Sequence, residues 1–472
     1  MIDQLAEHGY ADLRYAASGL HPVALGATLL GAVLIWFLPR RHVAAVFLVV
    51  GILIPFEQQI MISRLHFPMI RLLIAVGVLR ILARGELADL CLNAFDKVFL
   101  WFVASICVVF VLQWRDFDAV VNRCGFAYNA LGLYWISRAL IRDLDDIKQV
   151  FRGLRAIVLV VAACMLVEWK TGRNLFAVFG GVPEITEVRE GRLRCQAAFA
   201  HPILAGSFGA TSLPLLLSFW LWDDVRKRWL VVLSAMAAIT IVLTCSSSGP
   251  LMAMLAGVFG VVMWRRREHL GRLRWAIVWM LLILHFFIMK ASVWALIWRV
   301  SAFAGSTGFH RYALVDNFIT HLEEWWLLGL RSTEHWGGDA QMWDVANQFV
   351  ATGINGGIWA FALLVAALVL AFKAVGSAVR EKSVASGDRF LCWCLGASLF
   401  AHCVGLIGIV YFDQMQIIWY WLLSAFGSLY GMLITNQAGE RAPQSYWLKP
   451  AIYAIIVLLV ARLTAHETRL FF

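Results

Sequence analysis

The chain has 472 residues, of which 61% are hydrophobic and only 15% charged. A soluble domain carries closer to a quarter charged residues, so this composition excludes an ordinary soluble protein. The net charge of +10 sits mostly in short clusters at the ends of apolar runs, where it reads as an orientation signal and not as a nucleic-acid surface.

The chain opens on a polar leader that ends at His21-Pro22 and lacks the basic start of a secretory signal, so it is expected to belong to the mature protein. Apolar runs then begin near Val23, Val43, Pro68, Val98, Cys124, Ala156, Ile203, Trp229, Pro250, Ala276, Gly356, Phe390, Ile417 and Ala451. A hydrocarbon core of roughly 30 Å takes about twenty helical residues, which gives about fourteen spans, those from Val43 and Ala451 being short. The runs are continuous and do not alternate, so helices and not a barrel cross the bilayer. The predicted fold class is all-α: a polytopic membrane helical bundle, with residues 1–472 as a single integral membrane domain. The nine cysteines lie mostly within these runs and read as small buried hydrophobes; Cys392-x-Cys394 is a weak metal signal.

Basic clusters at Arg40-Arg41, Arg80 with Arg84, Arg138 with Arg142, Arg226-Lys227-Arg228, Arg265-Arg266-Arg267 and Arg380 with Lys382 fall at alternate turns. The positive-inside rule assigns them to the cytoplasm, together with the polar connectors Gly376–Asp388 and Thr435–Lys449. Both termini and the loops at Glu168–His201, Ser246–Gly249 and residues 291–350 then face outward. No phosphate-binding Gly-rich motif ending in Lys-Ser or Lys-Thr occurs, which argues against an ATP-driven pump.

The first outward loop carries Arg189, Arg192 and Arg194 among Glu184, Glu187 and Glu190. It reads either as a self-paired surface loop or as the source of a guanidinium that forks two phosphate oxygens, Arg194 being nearest the next helix. His201-Pro202 starts that helix; His201 reads first as a helix-entry residue. Thr244–Pro250 holds a serine cluster, ending in Ser248-Gly249, that either caps a helix or offers hydroxyl and N–H groups to a phosphate.

The large outward loop is a polar island in an apolar chain. It holds Arg299, His310, Arg311, Asp316, Glu323, Glu324, Arg331, His335 and Asp344, interleaved with Trp325, Trp326, Trp336 and Trp343. Leu314, Phe318, Leu322 and Trp325 recur at helical spacing and predict an amphipathic helix at the interface. Asp316, Thr320 and Glu323 or Glu324 would share its polar face. Trp325 and Trp326 read as interface anchors. Arg311 is the strongest single candidate: with Arg194 it could clamp a diphosphate, or it could simply meet lipid headgroups. His310 and His335 are candidate bases, with Asp316 and Asp344 as rivals among the acids. Asp344 and Asn347, three apart, would point one way on a helix. Gly353, Gly356 and Gly357 would permit close helix contact. His402, within an apolar run, is expected to face the bundle interior.

In this order, Arg194 with Phe199-Ala200-His201-Pro202, the serine–glycine turn, Gly308-Phe309-His310-Arg311 through Trp325-Trp326-Leu327-Leu328-Gly329, and Asp344–Asn347 ahead of Gly356-Gly357 resemble the O-antigen ligase and O-antigen polymerase superfamily of bacterial envelope glycan enzymes. The resemblance implies a polytopic inner-membrane protein with a large periplasmic loop. It also implies a polyprenyl-diphosphate-linked oligosaccharide as donor, held by Arg194 and Arg311, and a glycan acceptor. Ligases of that superfamily often carry histidine before an asparagine in the large loop; here Ala346 precedes Asn347, which favours a polymerase-like member. The expected activity is therefore a metal-independent, inverting glycosyl transfer needing no cofactor, with Arg192, Arg299, His201, Asn347 and Ser248 as further substrate-binding candidates. A ligase that moves finished glycan to a lipid or protein acceptor, and a lipid-linked glycan flippase, are the alternatives.

Overall fold

The computed structural model describes residues 20–62, 65–88, 90–222, 225–289, 291–301, 308–337, 342–436 and 449–469. The polar leader before His21 and most of the Thr435–Lys449 connector lie outside the described residues. Each apolar run coincides with a helix, most of which start close to the run, while those carrying the runs from Cys124, Ala156, Ala276 and Gly356 start 6 to 12 residues earlier: α1 (Pro22–Phe37), α2 (Arg40–Leu53), α3 (Met69–Ala83), α4 (Ala94–Trp114), α5 (Phe117–Leu140), α6 (Leu144–Thr171), α7 (Pro202–Leu217), α8 (Arg228–Thr244), α9 (Ser248–Val262) and α10 (Leu270–Ile283), followed after the island by α14 (Gln348–Arg380), α15 (Ser386–Gly405), α16 (Gln414–Asn436) and α17 (Lys449–Arg469). Three short helices, α11 (Leu296–Ser301), α12 (Gly308–Thr320) and α13 (Leu322–Trp325), belong to the island. Two antiparallel hairpins, β1–β2 (Gln59–Ile62, Leu65–Pro68) and β3–β4 (Glu187–Arg189, Arg192–Arg194), are the only sheets among the described residues.

Six helical stretches among the described residues are long and apolar enough to cross a membrane: Ala94–Trp114, Leu144–Thr171, Pro202–Leu221, Val225–Thr244, Ser248–Ile288 and Gln348–Arg380. Large apolar side chains such as Leu79, Trp101, Met236, Trp275 and Phe287 stand on the outside of the bundle, a surface that water would penalise and lipid would cover. The Arg265–Arg267 cluster is not an irregular loop as its charge suggests. It lies in a 3₁₀ turn, Met263–His269, with Arg266 alone off helical geometry, which bends α9 into α10.

Helix starts follow capping chemistry. Asn93 and Asp96 form a reciprocal capping box on α4, and Asp116 and Asp143 accept from Ala119 and Asp146 N–H groups at α5 and α6. Asp96 does more than cap. Its carboxylate accepts from Tyr134 Oη at 2.5 Å and Arg138 Nε at 3.1 Å, while Asn93 donates to the Gly427 carbonyl at 2.8 Å. This knot ties α4, α5 and α16, and removing one partner would strand a buried charge at a cost of about 3–5 kcal/mol. At the neighbouring helix end, Arg80 donates to the Ile35 and Leu38 carbonyls and pairs with Glu86, filling acceptors that α1 leaves open at its C-terminus.

The island is a packed cap, not a lone interfacial helix. Leu314, Phe318, Leu322 and Trp325 do share one side as the spacing predicts, but all four are buried, against Val350, Ile354 and Ile358 of α14. Trp325 is fully buried, stacked on Phe318 at 3.9 Å, whereas Trp326 stays exposed. The helix also stops early: α12 ends at Thr320 and α13 restarts at Leu322, with His321 between them.

That cap closes a break in α14. Gly357 adopts φ +65, which interrupts the helix, and the segment Trp326–Leu330 supplies what the break leaves open. The Leu330 N–H donates to the Ile354 carbonyl at 2.9 Å, and the Ile358 N–H donates to the Trp326 carbonyl at 2.8 Å. Interrupted helices persist in a membrane only where protein re-satisfies the freed groups. The glycine run therefore does two jobs. Gly353 allows the close approach of Phe318, as small residues do at helix contacts, while Gly357 makes the break.

Candidate functional site

Two chain segments from the β3–β4 loop and the serine turn are locked together. Arg194 ends β4 directly opposite Glu187 of β3. The next residue, Cys195, donates its N–H to the Thr244 carbonyl at 3.1 Å, and the Ser246 hydroxyl donates to the Leu193 carbonyl at 2.8 Å. Glu168, buried at the end of α6, accepts from the Gln196 and Ala197 N–H groups and from Thr186 Oγ1. This holds the chain after Arg194 in a tight turn with Ala197 at φ +50.

Arg194 is buried, and its Nη1 donates to both oxygens of Glu187, at 2.9 and 3.1 Å. The Nε–Nη2 edge makes no hydrogen bond among the described residues. Its charge reaches the serine turn: burial pushes the Cys245 thiol up to about 12, opposed by the Ser247 N–H and by Arg194. The turn itself leads into α9 with Ser246 at φ +48 and Ser247 as N-cap. Contrary to the capping expectation, no side chain caps the α9 N-terminus, so the first N–H groups of a fifteen-residue helix keep their pull on negative charge.

Arg311 comes to that same turn from the island. A Cβ built on Gly249 would stand 3.5 Å from its Nη2, and one built on Gly408 would stand 3.2 Å from its Cζ. Glycine at both positions leaves the space the guanidinium uses. Burial lowers the pKa of Arg311 from its ordinary value, and no carboxylate pairs with it among the described residues. His201 caps α7 by accepting from the Ile203 N–H at 3.1 Å, as a helix-entry residue should. The first turns of α7 and α9 then touch, Gly206 lying against Cys245 and Pro250. The segment that carries Arg194 and the guanidinium of Arg311 thus each adjoin the serine turn that leads into α9, and a guanidinium beside a helix N-terminus suits an anion with several oxygens.

The remaining candidates divide. His310 adjoins Arg311, and its Nε2 lies 3.0 Å from the Asp344 carbonyl oxygen. A carbonyl only accepts, so Nε2 carries the proton and Nδ1 is left to accept one. The Asp344 side chain is exposed. Asp344 and Asn347 do not share a helical face: the helix starts at Gln348, and Asn347 is its N-cap, accepting from the Phe349 and Val350 N–H groups. Nor do Asp316, Thr320, Glu323 and Glu324 form one polar face, because the helix breaks at His321. Asp316 accepts from Trp294 Nε1 at 2.8 Å, Glu323 pairs with Arg462 of α17, and Glu324 binds His335 at 2.7 Å and Trp336 at 3.0 Å. Arg192 and Arg299 are exposed, on β4 and α11. His402 faces inward, as its place in an apolar run predicts, 2.9 Å from Tyr411 Oη.

Two features escaped the reading of the chain. Gly408, in the loop between α15 and α16, is a wall of the Arg311 site and has no chemical signature. Arg123 was visible as an arginine beside an apolar run, a signal that merits a functional question. Among the described residues no group of three or more His, Cys, Asp or Glu side chains could hold a metal ion. No protein-family model matches the chain, and no curated protein matches it.

Proposed function

We propose that this chain is a membrane glycosyltransferase that polymerises polyprenyl-diphosphate-linked glycan repeat units, with its site on the periplasmic face of a bacterial inner membrane and about fourteen helices spanning the bilayer. The observation that supports the reading is that the chain at Arg194 is hydrogen-bonded to the serine turn through Cys195 and Thr244, while Arg311 lies beside Gly249 at the uncapped start of α9. The resemblance of the motif order to the O-antigen ligase and polymerase superfamily supplies the substrate class.

In this reading a sugar hydroxyl of the acceptor attacks the anomeric carbon of the donor. The carbon–oxygen bond to the diphosphate breaks, and polyprenyl diphosphate leaves with the bonding pair. The anomeric configuration inverts. Arg311, the α9 N–H groups and the open edge of Arg194 take up the charge that grows on the leaving diphosphate. His310 Nδ1 receives the hydroxyl proton. His335 fits less well, because its ring is engaged by Glu324. Polymerase is preferred over ligase because Asn347 is engaged as a helix cap and Ala346, its neighbour, can hold no proton.

The test is product length. Purified protein given a lipid-linked repeat unit should build chains of several units and release polyprenyl diphosphate. Transfer of finished glycan to a second acceptor without elongation would make it a ligase. Lipid movement between leaflets with no new glycosidic bond would make it a flippase and end the proposal.

A further inference from the structure

A second polar site lies beside the first. A cavity of about 160 Å³ opens beneath the 406–413 loop, between α4, α5, α14 and α16. Its polar lining is Arg123, Gln348, Thr352, Asn355, Tyr411 and Gln416, and its flat apolar walls include Phe126 and Trp419. The loop above it is well anchored. Gln348 accepts from the Tyr411 N–H at 3.0 Å and donates its own N–H to the Leu406 carbonyl at 2.9 Å, while Gln416 donates to the Tyr411 carbonyl at 3.1 Å.

Arg123 is the uncompensated member. It lies six residues into α5, about 9 Å along the axis at 1.5 Å per residue. Its guanidinium sits 3.5 Å from the Phe110 ring centre. Its Nε is buried and donates to nothing, and no carboxylate pairs with it among the described residues. Cation–π contacts with Phe110 and, at 5.7 Å, with Phe126 offset part of what this partly buried guanidinium loses with its water, and they supply no acceptor for its N–H groups. Arg123 itself lines the cavity, and a guanidinium short of acceptors at a cavity wall is where a ligand acceptor would bind.

Size and chemistry restrict that ligand. At about 160 Å³ the cavity is close in size to one that takes a single six-membered ring, such as the engineered cavity of about 150 Å³ that binds benzene, which is room for one sugar ring. Amides and hydroxyls around flat aromatic walls suit a ring of hydroxyl groups over an apolar face. One fixed guanidinium suits one carboxylate, which it can fork. The two sites also share a wall: within the 406–413 loop Gly408 faces Arg311, while Tyr411 lines the cavity.

We propose that this cavity binds an acidic sugar residue of the hexuronate class, its carboxylate held by Arg123. That the sugar belongs to the transferred glycan rests on the glycosyltransferase reading above; the binding itself does not.

The experiment uses the purified full-length protein in detergent and measures D-glucuronate, D-glucose and inorganic phosphate by saturation-transfer NMR and thermal unfolding. Glucuronate should bind with a Kd no weaker than about 10 mM and roughly tenfold tighter than glucose, the ratio one charged hydrogen bond gives. Phosphate should not displace it. Arg123→Gln should abolish the preference over glucose, and Arg123→Lys should keep part of it. Equal binding of glucuronate and glucose by the unaltered protein would overturn the proposal, whether or not Arg123→Gln folds. Displacement by phosphate would make the cavity a general anion site, and unchanged discrimination in Arg123→Gln would place the sugar elsewhere; either result also overturns it. Glucuronate binding without any transfer activity would sink the transferase reading alone, whereas active transfer without glucuronate binding would sink this one alone.

Discussion

Arg194 and Arg311 are not equivalent. Glu187 occupies one nitrogen of Arg194 from the opposite strand, whereas Arg311 meets two glycines and, among the described residues, no acid. Glu187 is half exposed, so its pairing is a weak one, worth up to about 1 kcal/mol. Glu187→Gln should therefore leave the hairpin folded and lower the KM for the lipid-diphosphate donor by up to about fivefold, with little change in kcat. An unchanged or raised KM would mean that Arg194 does not face the donor. His310→Gln should lower kcat by about 100-fold or more without affecting donor KM, if its Nδ1 is the proton acceptor. Both arginines stand out in the sequence because a cation beside an apolar stretch needs a reason. What each one touches was not, since Glu187 and Gly408 meet them only through the fold.

Among the helices, the break in α14 is the feature on which the island depends. Gly357→Ala puts a side chain at φ +65 and within 2.7 Å of the Leu327 carbonyl oxygen. The cost should be about 1–3 kcal/mol, seen as a lower unfolding midpoint and faster hydrogen exchange across residues 326–330 and 354–358. Exchange unchanged in both segments would show that they do not support one another. Acid should loosen the same cap from its other edge. Burial pushes the Glu324 carboxyl up, but hydrogen bonds from Trp336 and His335 and the nearby His321 outweigh it, so its pKa falls below the ordinary 4.5. A depressed folded pKa means the unfolded chain binds the proton more readily. The stabilisation is thus whole above pH 4.5 and is lost as pH falls through the folded value. Protection of residues 321–337 should drop in that acid range in the natural protein but not in Glu324→Gln. Helical spacing foretold that Leu314, Phe318, Leu322 and Trp325 share one side, but not that this side packs against α14, and it missed both the stop at His321 and the role of Gly357, because each depends on a partner distant in the chain.

In the molecule as a whole, composition and apolar run length were enough to give an all-α membrane bundle, and every run coincides with a helix. The same arithmetic did not foresee that Arg265–Arg267 would sit in a 3₁₀ turn kinked at Arg266, since charge marks a membrane boundary without saying how the backbone crosses it. The proposed orientation makes the β3–β4 hairpin and the island outward-facing, while Cys91, between α3 and α4, faces the cytoplasm. In a background otherwise free of cysteine, a membrane-impermeant thiol reagent should label Arg192→Cys and Arg299→Cys from the periplasmic side, while Cys91 should react only after the membrane is opened. The reverse pattern would invert the topology and remove the donor from reach of the site.

The most direct measurement is release of polyprenyl diphosphate from a lipid-linked donor by purified Arg311→Lys protein, beside the unaltered enzyme and under matched folding controls. An ammonium keeps the charge but cannot fork two oxygens. Turnover should fall about 100-fold or more with an unchanged unfolding midpoint. Turnover close to that of the unaltered enzyme would contradict it.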